Sequence, residues 1–208
     1  MIKERPILFS APMVRALLDG SKTQTRRLYK ARKHPDFGCE MAAFELAGSP
    51  QHVIDRMCPY GQPGDCLWVR ETWRAFKLPK SHPEDEEVIE VDYRATPESW
   101  SFFGRNAQWK PSIHMPRWAS RILLEVVSVR IERLQEISEA DAKAEGIEPH
   151  EVRQFMIYGT SPAERAAIYR DAAVGPYRGL WQQINGADSW DANPWVWVVE
   201  FKHVKEFP

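Results

Sequence analysis

An α+β fold, a small β-barrel with helices packed around it and long insertions, is predicted by three observations. Short runs rich in β-branched and aromatic residues recur over the whole chain, from Ile7-Leu8-Phe9 to Trp195-Val196-Trp197-Val198-Val199-Glu200-Phe201. A few capped, amphipathic segments stand between them. No internal repeat or Gly/Ser linker divides the 208 residues, so a single domain over 1–208 is expected.

Each element has a local reason. Ile7-Leu8-Phe9 forms the first strand. Ser10-Ala11-Pro12 opens a helix, because Pro is preorganised for a first turn; Met13, Ala16 and Leu17 share one face, and Gly20 closes it. From Lys30 to Gln62 the apolar pattern is poor while Gly, Pro and Cys recur, which predicts a long irregular excursion. Gly64-Asp65 turns into a single strand over 66–73, and the acidic stretch 84–92 reads as a solvated face with a strand at 88–93. Alternation through Val127, Val129 and Ile131 makes 121–133 a strand, and Ser138 with Asp141 caps a helix ending at Gly146. Ser161-Pro162-Ala163-Glu164 is a second cap, for a helix through Ala166, Ala167 and Tyr169; another helix follows Pro176. The β-branched and aromatic run at 195–201 is the last strand.

Composition narrows the function. Apolar residues make up 43% and charged residues 27%, an ordinary globular balance. Lys and Arg number 28 against 29 Asp and Glu, a formal net charge of −1, which does not suit a protein coating extended duplex DNA through many phosphate contacts. Any nucleic-acid contact is therefore local. No apolar run approaches a signal peptide or the roughly 20 residues that cross a bilayer, so a cytoplasmic protein with no membrane partner is expected. Cys39, Cys58 and Cys66 are odd in number and irregularly spaced, which favours reduced thiols over a disulfide framework or a zinc site completed by His34 or His52. HExxH, Walker A and GxGxxG elements are absent from the sequence, and the expectation is a site with no cofactor and no metal. Nine Trp are unusual; they can fill a core or form platforms on which bases stack.

The strongest local signal is Gly20-Ser21-Lys22-Thr23-Gln24-Thr25-Arg26-Arg27. On its own it reads as a helix C-terminus with cations where the macrodipole favours them. Chemically, it groups Lys22, Thr25 and Arg27 in one turn: an amine that burial can make basic, a hydroxyl, and a guanidinium able to hold a carbonyl or phosphate. Between Arg15 and Lys33 lie seven basic residues and one acidic, a patch suited to an anionic partner.

Gly20-x-Lys22-x-x-Thr25-x-Arg27 resembles the GxKxxTxR element of the ASCH domains, which are similar to PUA domains in fold. Four fixed residues recur by chance at roughly one start in 10⁵ in a chain of average composition. Further segments follow in a similar order: Gly64-Asp65 opening a strand, Leu134-x-x-Ile137-Ser138-Glu139-x-x-Ala142-x-x-Glu145-Gly146-Ile147 after a long strand, and Val199-Glu200-Phe201-Lys202 near the end. This order resembles the small bacterial ASCH amidohydrolases that remove the acetyl group from N4-acetylcytidine. The resemblance implies Lys22 as base, Thr25 as nucleophile, Glu145 as proton donor and Arg27 as substrate clamp, with Arg26 adding positive charge beside Lys22. The chain is about twice as long as those enzymes, with extra material at 28–60, 75–115 and 150–190, and its layout looks more like the longer ASCH proteins of phages and prophages. The family also includes RNA-binding members and members that cut RNA. The expectation is a hydrolase, monomeric, acting on a modified pyrimidine nucleoside, nucleotide or RNA base, with a non-catalytic RNA or modified-base binding module and a ribonuclease as alternatives.

Two further groups compete for the site. From Arg105 to Arg121 there are four basic residues and no acidic ones, with Trp109, His114 and Trp118 interleaved. This reads either as a cleft wall, with Trp118 stacking on a base while Arg117 or Arg121 holds a phosphate, or as a Pro-rich loop whose Trp residues plug the barrel. His114 could serve as acid or base in RNA cleavage, or be structural. Glu71 shares a strand face with Val69 and Trp73, and a carboxylate there is costly unless paired. It is bonded to Arg or Lys, or it belongs to the site and rivals Glu145 as the acid.

Overall fold

The computed structural model describes residues 2–34, 38–79, 81–82, 84, 86–147 and 173–204. Its largest sheet has five strands, in the spatial order Glu4–Leu8, Cys66–Arg70, Leu123–Arg133, Trp195–His203 and Gln24–Leu28. β1 (Glu4–Leu8) runs parallel to β5 (Cys66–Arg70), whereas β8 (Leu123–Arg133), β9 (Trp195–His203) and β2 (Gln24–Leu28) extend the sheet by antiparallel ladders. Among the described residues no ladder joins β1 to β2, so the sheet is open in place of the expected closed barrel. These edge strands are connected through a helix, α1 (Ala11–Leu18), and not through a hairpin. A side chain spans them instead: Arg27 on β2 donates a 2.7 Å hydrogen bond to the Leu8 carbonyl.

The apolar run at the chain end is explained by position. β9 lies inside the sheet between β8 and β2 and is covered on both faces, which calls for a continuous apolar strand. Trp197, Val199 and Phe201 face the main core with Ile7, Val14, Leu67, Val126 and Ile131. Val196 and Val198 face a second core built from Leu134, Ile137, Ala142, Tyr177, Trp181 and Trp190. That second core binds α4 (Glu139–Ala144) and α5 (Val174–Asn185) to the sheet. The helix expected after Pro176 is α5, begun two residues earlier, and Ser138 caps α4 by accepting from the Asp141 N–H. The helix expected at 161–169 lies outside the described residues. No described helix is long and apolar enough to cross a membrane.

Several expectations are corrected. The segment after Gly20 is not one turn: Gln24–Leu28 is β2, because β9 offers it an edge on which to pair. The supposed irregular excursion contains the ladder β3–β4 (Arg32–Lys33 with Glu40–Met41) and two short helices, α2 (Ala43–Ala47) and α3 (Gln51–Met57). Each helix buries only a few side chains, Ala43 and Leu46, then Ile54 and Met57, too few for a clear period in the sequence. The strand expected over 66–73 breaks at Glu71-Thr72. Its second part is β6 (Trp73–Lys77), which leaves the main sheet to pair with β7 (Ile89–Tyr93). The first strand is Glu4–Leu8, displaced toward the N-terminus from Ile7-Leu8-Phe9. The acidic stretch is not wholly solvated: Asp92 is buried and receives the Arg74 Nε–H at 2.9 Å.

Candidate functional site

The site begins where α1 meets β2. Gly20 takes φ +82°, a conformation that favours glycine, and reverses the chain. Lys22 then hydrogen-bonds through its N–H to Ala16 O at 2.9 Å, and Thr23 N donates to Ala144 O at 2.8 Å, so the entry to β2 rests on the C-terminus of α4. Lys22 and Glu145 form an isolated backbone bridge. Gly146 makes this approach possible: its φ is +83°, and a Cβ there would lie 2.8 Å from Ala16 Cβ and 3.1 Å from Lys22 Cβ.

The Lys22 side chain is held by one partner residue. Its Nζ donates to Glu145 Oε2 at 2.7 Å and to the Glu145 carbonyl at 2.9 Å, with both residues buried at 3% and 4% exposure. Burial pulls the Lys22 ammonium below its ordinary range; Glu145 opposes the shift, while the positive charges of Arg27 and Arg26 add to it. Glu145 is therefore not the exposed last-turn residue that its place at the end of α4 allows. The same buried pair also places a cation on a free helix-terminal carbonyl.

Arg26 fixes the other carboxylate oxygen, Nη1 to Glu145 Oε1 at 3.5 Å, and its Nη2 reaches Asp141 Oδ2 at 3.4 Å. Its guanidinium also binds Glu132, Nε to Oε1 at 3.1 Å. Arg130 continues the network to Glu132 at 3.1 Å, to Asp141 at 3.0 Å and to Glu200. Burial alone would raise the Asp141 carboxyl, but hydrogen bonds from Ser138 and the charges of Arg26 and Arg130 hold it below its usual value.

Thr25, Arg26, Arg27 and Glu145 line one cavity of about 150 Å³ with Tyr60, Tyr177 and Trp181. Among the described residues the buried Arg27 Nε–H has no hydrogen-bond partner. Phe9 underlies the cations: its ring centre is 5.6 Å from Lys22 Nζ and 5.1 Å from the Arg27 guanidinium carbon. The Tyr177 phenol is pushed well above its ordinary range by burial, reinforced by Glu145, so it is a neutral donor. The arrangement provides a hydroxyl, an amine of reduced basicity, a carboxyl group in contact with that amine, and a guanidinium.

Lys22, Thr25, Arg26, Arg27 and Glu145 are thus brought together. Glu71, Trp73, Arg117, Trp118 and Arg121 are not: none lines this cavity. Glu71, 2% exposed, accepts both Arg121 Nε at 3.0 Å and Nη2 at 3.1 Å, which selects the ion-paired reading of that residue. Trp73 is buried at 3%, edge-on to the exposed Trp118 at 5.8 Å, and Arg117 pairs with Glu4 at 2.6 Å. The sequence reading missed Tyr60, Tyr177 and Trp181. The last two stand four residues apart on α5, a spacing that puts them on one helix face and was available as a signal. Among the described residues no group of three or more His, Cys, Asp or Glu side chains could hold a metal ion. Comparison of the chain with family models, with curated proteins and with solved structures gives no match.

Proposed function

We propose that the protein is a hydrolase that removes an acyl group from the exocyclic amide of a modified pyrimidine such as N4-acetylcytidine, with Lys22, Thr25 and Glu145 as the reacting groups. The observation that supports it is the buried 2.7 Å contact between Lys22 Nζ and Glu145 Oε2 beside a cavity that Thr25 also lines. The resemblance of Gly20-x-Lys22-x-x-Thr25-x-Arg27 to the ASCH element adds to it.

The contact meets the proton requirements of such a reaction. One proton passed from Nζ to Oε2 creates an amine base and a carboxylic acid together. Thr25 Oγ1 attacks the amide carbon and gives its proton to Lys22; the C–N bond breaks and the departing nitrogen takes the Glu145 proton. Water then attacks the acyl-Thr25 ester and passes a proton to Glu145, while Lys22 returns its proton to the Thr25 oxygen. The carboxylic acid leaves with both residues restored. Arg27 serves as clamp for the acyl or ring carbonyl.

Chromatography of N4-acetylcytidine incubated with the protein tests this. Wild type is expected to release cytidine, and Lys22→Met, Thr25→Ala and Glu145→Gln to lose about 10²–10⁴-fold or more in rate while remaining folded by circular dichroism. No release by wild type, or undiminished release by Thr25→Ala, sinks the proposal.

A further inference from the structure

The aromatic and basic segment 105–121 stands out in the sequence and takes no part in the cavity just described. Its course builds a surface of its own. Lys110 N donates to Trp73 O at 2.7 Å and Trp73 N to Lys110 O at 3.2 Å, which clips the segment to the start of β6. Met115 and Ala119, both buried, then pack on Trp73. Arg117–Ala119 form one tight turn. The Tyr93 hydroxyl donates to the Ala119 carbonyl at 2.9 Å, and the Ser120 hydroxyl to the Val69 carbonyl at 2.8 Å, so the turn is tied to the body of the fold. It holds Trp118 outward at 62% exposure.

An indole fixed in this way adds little to the core and presents a rigid aromatic face to solvent. Trp118 meets Trp73 at 89° with ring centres 5.8 Å apart, and a perpendicular neighbour covers at most one of its two faces. Positive charge borders it. The exposed Lys110 has its Nζ 4.9 Å from the Trp73 ring centre, so ammonium and indole touch the same buried ring. Among the described residues Lys110 has no carboxylate partner. The Arg121 guanidinium lies 3.9 Å from the ring centre of Tyr93, the cross-strand neighbour of Trp73. It grips Glu71 through Nε and Nη2, and Nη1 takes no part in that contact. Glu71 is buried and Glu4 is held by Arg117, so each of these carboxylates is matched by a cation.

An open aromatic face beside unmatched positive charge suits a chain that carries π faces and negative charge together. A nucleic-acid strand offers both at every residue, and an indole stacks on any base. In a duplex the base faces are closed within the stack, so this surface selects single strands. RNA is the nucleic acid whose loops, bulges and ends ordinarily present such unstacked bases. We infer that the face built by Trp118, Lys110 and Arg121 binds single-stranded RNA. One base stacks on Trp118, Lys110 holds a neighbouring phosphate, and Arg121 adds positive charge. This surface is separate from the Thr25 cavity, and its assignment does not rest on the proposed reaction.

Fluorescence anisotropy of a labelled oligouridylate of about twelve residues tests it, beside an oligodeoxythymidylate and an RNA duplex of the same length. Wild type is expected to bind the oligouridylate at least about ten-fold tighter than the duplex. Trp118→Ala weakens that binding about ten-fold or more, the scale of one base stack, and Trp118→Phe keeps most of it. Lys110→Met flattens the dependence of log affinity on log salt by about 0.7, one phosphate contact on a single strand. Both side chains are exposed, so the variants should fold, which circular dichroism checks. No binding by wild type, binding unchanged in Trp118→Ala, or a duplex bound as tightly would each overturn the inference. So would a deoxyoligomer bound about ten-fold tighter than RNA, or binding lost in Arg27→Met and kept in Trp118→Ala, which moves the strand to the candidate site. A dimer in sedimentation that Trp118→Ala dissociates would overturn it in favour of a second copy of the chain. Failure to release acetyl groups, by contrast, bears only on the proposed reaction.

Discussion

Lys22 owes its lowered proton affinity to where its charge is placed. A cation at 3% exposure loses hydration, and the one carboxylate that compensates is also bound by Arg26. Because its native proton affinity is lowered from the ordinary 10.5, the unfolded chain binds more protons between the native value and 10.5. Stability therefore rises with pH through that window and levels off above it. Lys22→Met removes this contribution. Urea unfolding of the two proteins at a series of alkaline pH values should show wild type gaining on the variant as pH approaches 10.5; a constant difference, or one of opposite sign, contradicts this account of Lys22. At this scale the sequence was informative about placement: Thr25 and Arg27, singled out by their spacing from Lys22, line one cavity with Glu145, the partner of Lys22. It was uninformative about Glu71, whose burial favoured an ion pair and a reactive group equally until Arg121 was seen to grip both oxygens.

The elements were legible in proportion to the side chains they bury. β8 and β9 are long, and their apolar positions declare them; α4 and α5 are marked by a cap and by helical spacing. β2 was hidden because Gln24-Thr25-Arg26-Arg27 has no apolar alternation. Two of its buried polar groups find partners on distant elements, the Arg26 guanidinium on Glu132 and the Gln24 side-chain oxygen on Arg130, which no local window contains. The break at Glu71-Thr72 was hidden for the same reason, since departure of β6 from the main sheet depends on β7 some fifteen residues later. One glycine tests how these elements meet. Gly146→Ala puts a Cβ 2.8 Å from Ala16 at φ +83°, so α4 must withdraw from Lys22. The variant should lose about 2 kcal/mol or more of stability by denaturant unfolding, from the left-handed conformation and the collision together. A variant as stable as wild type would show that the contact between α4 and the entry to β2 is not held by Gly146.

Across the whole molecule, two hydrophobic cores lie on opposite faces of β9, and the candidate site sits where their borders meet at β2. Lys22 comes from the chain entering β2, Glu145 from the end of α4 on the second core, and Tyr60 from the turn after α3 on the first. A segment that pairs residues more than a hundred positions apart is specified only when the full sheet is assembled, which is why the candidate groups were legible in the sequence and their surroundings were not. The open sheet belongs to this scale too: closure was expected from strand content, and among the described residues no ladder joins β1 to β2, which the Arg27 hydrogen bond to Leu8 spans. The claim that joins these levels is that Thr25 carries the acyl group between the two halves of the reaction. Rapid acid quenching of wild type during turnover of N4-acetylcytidine, followed by peptide mass analysis, measures it. The account predicts one acetyl group on the peptide containing Thr25, absent from Thr25→Ala; cytidine release with no acetylated peptide at any time point would contradict it.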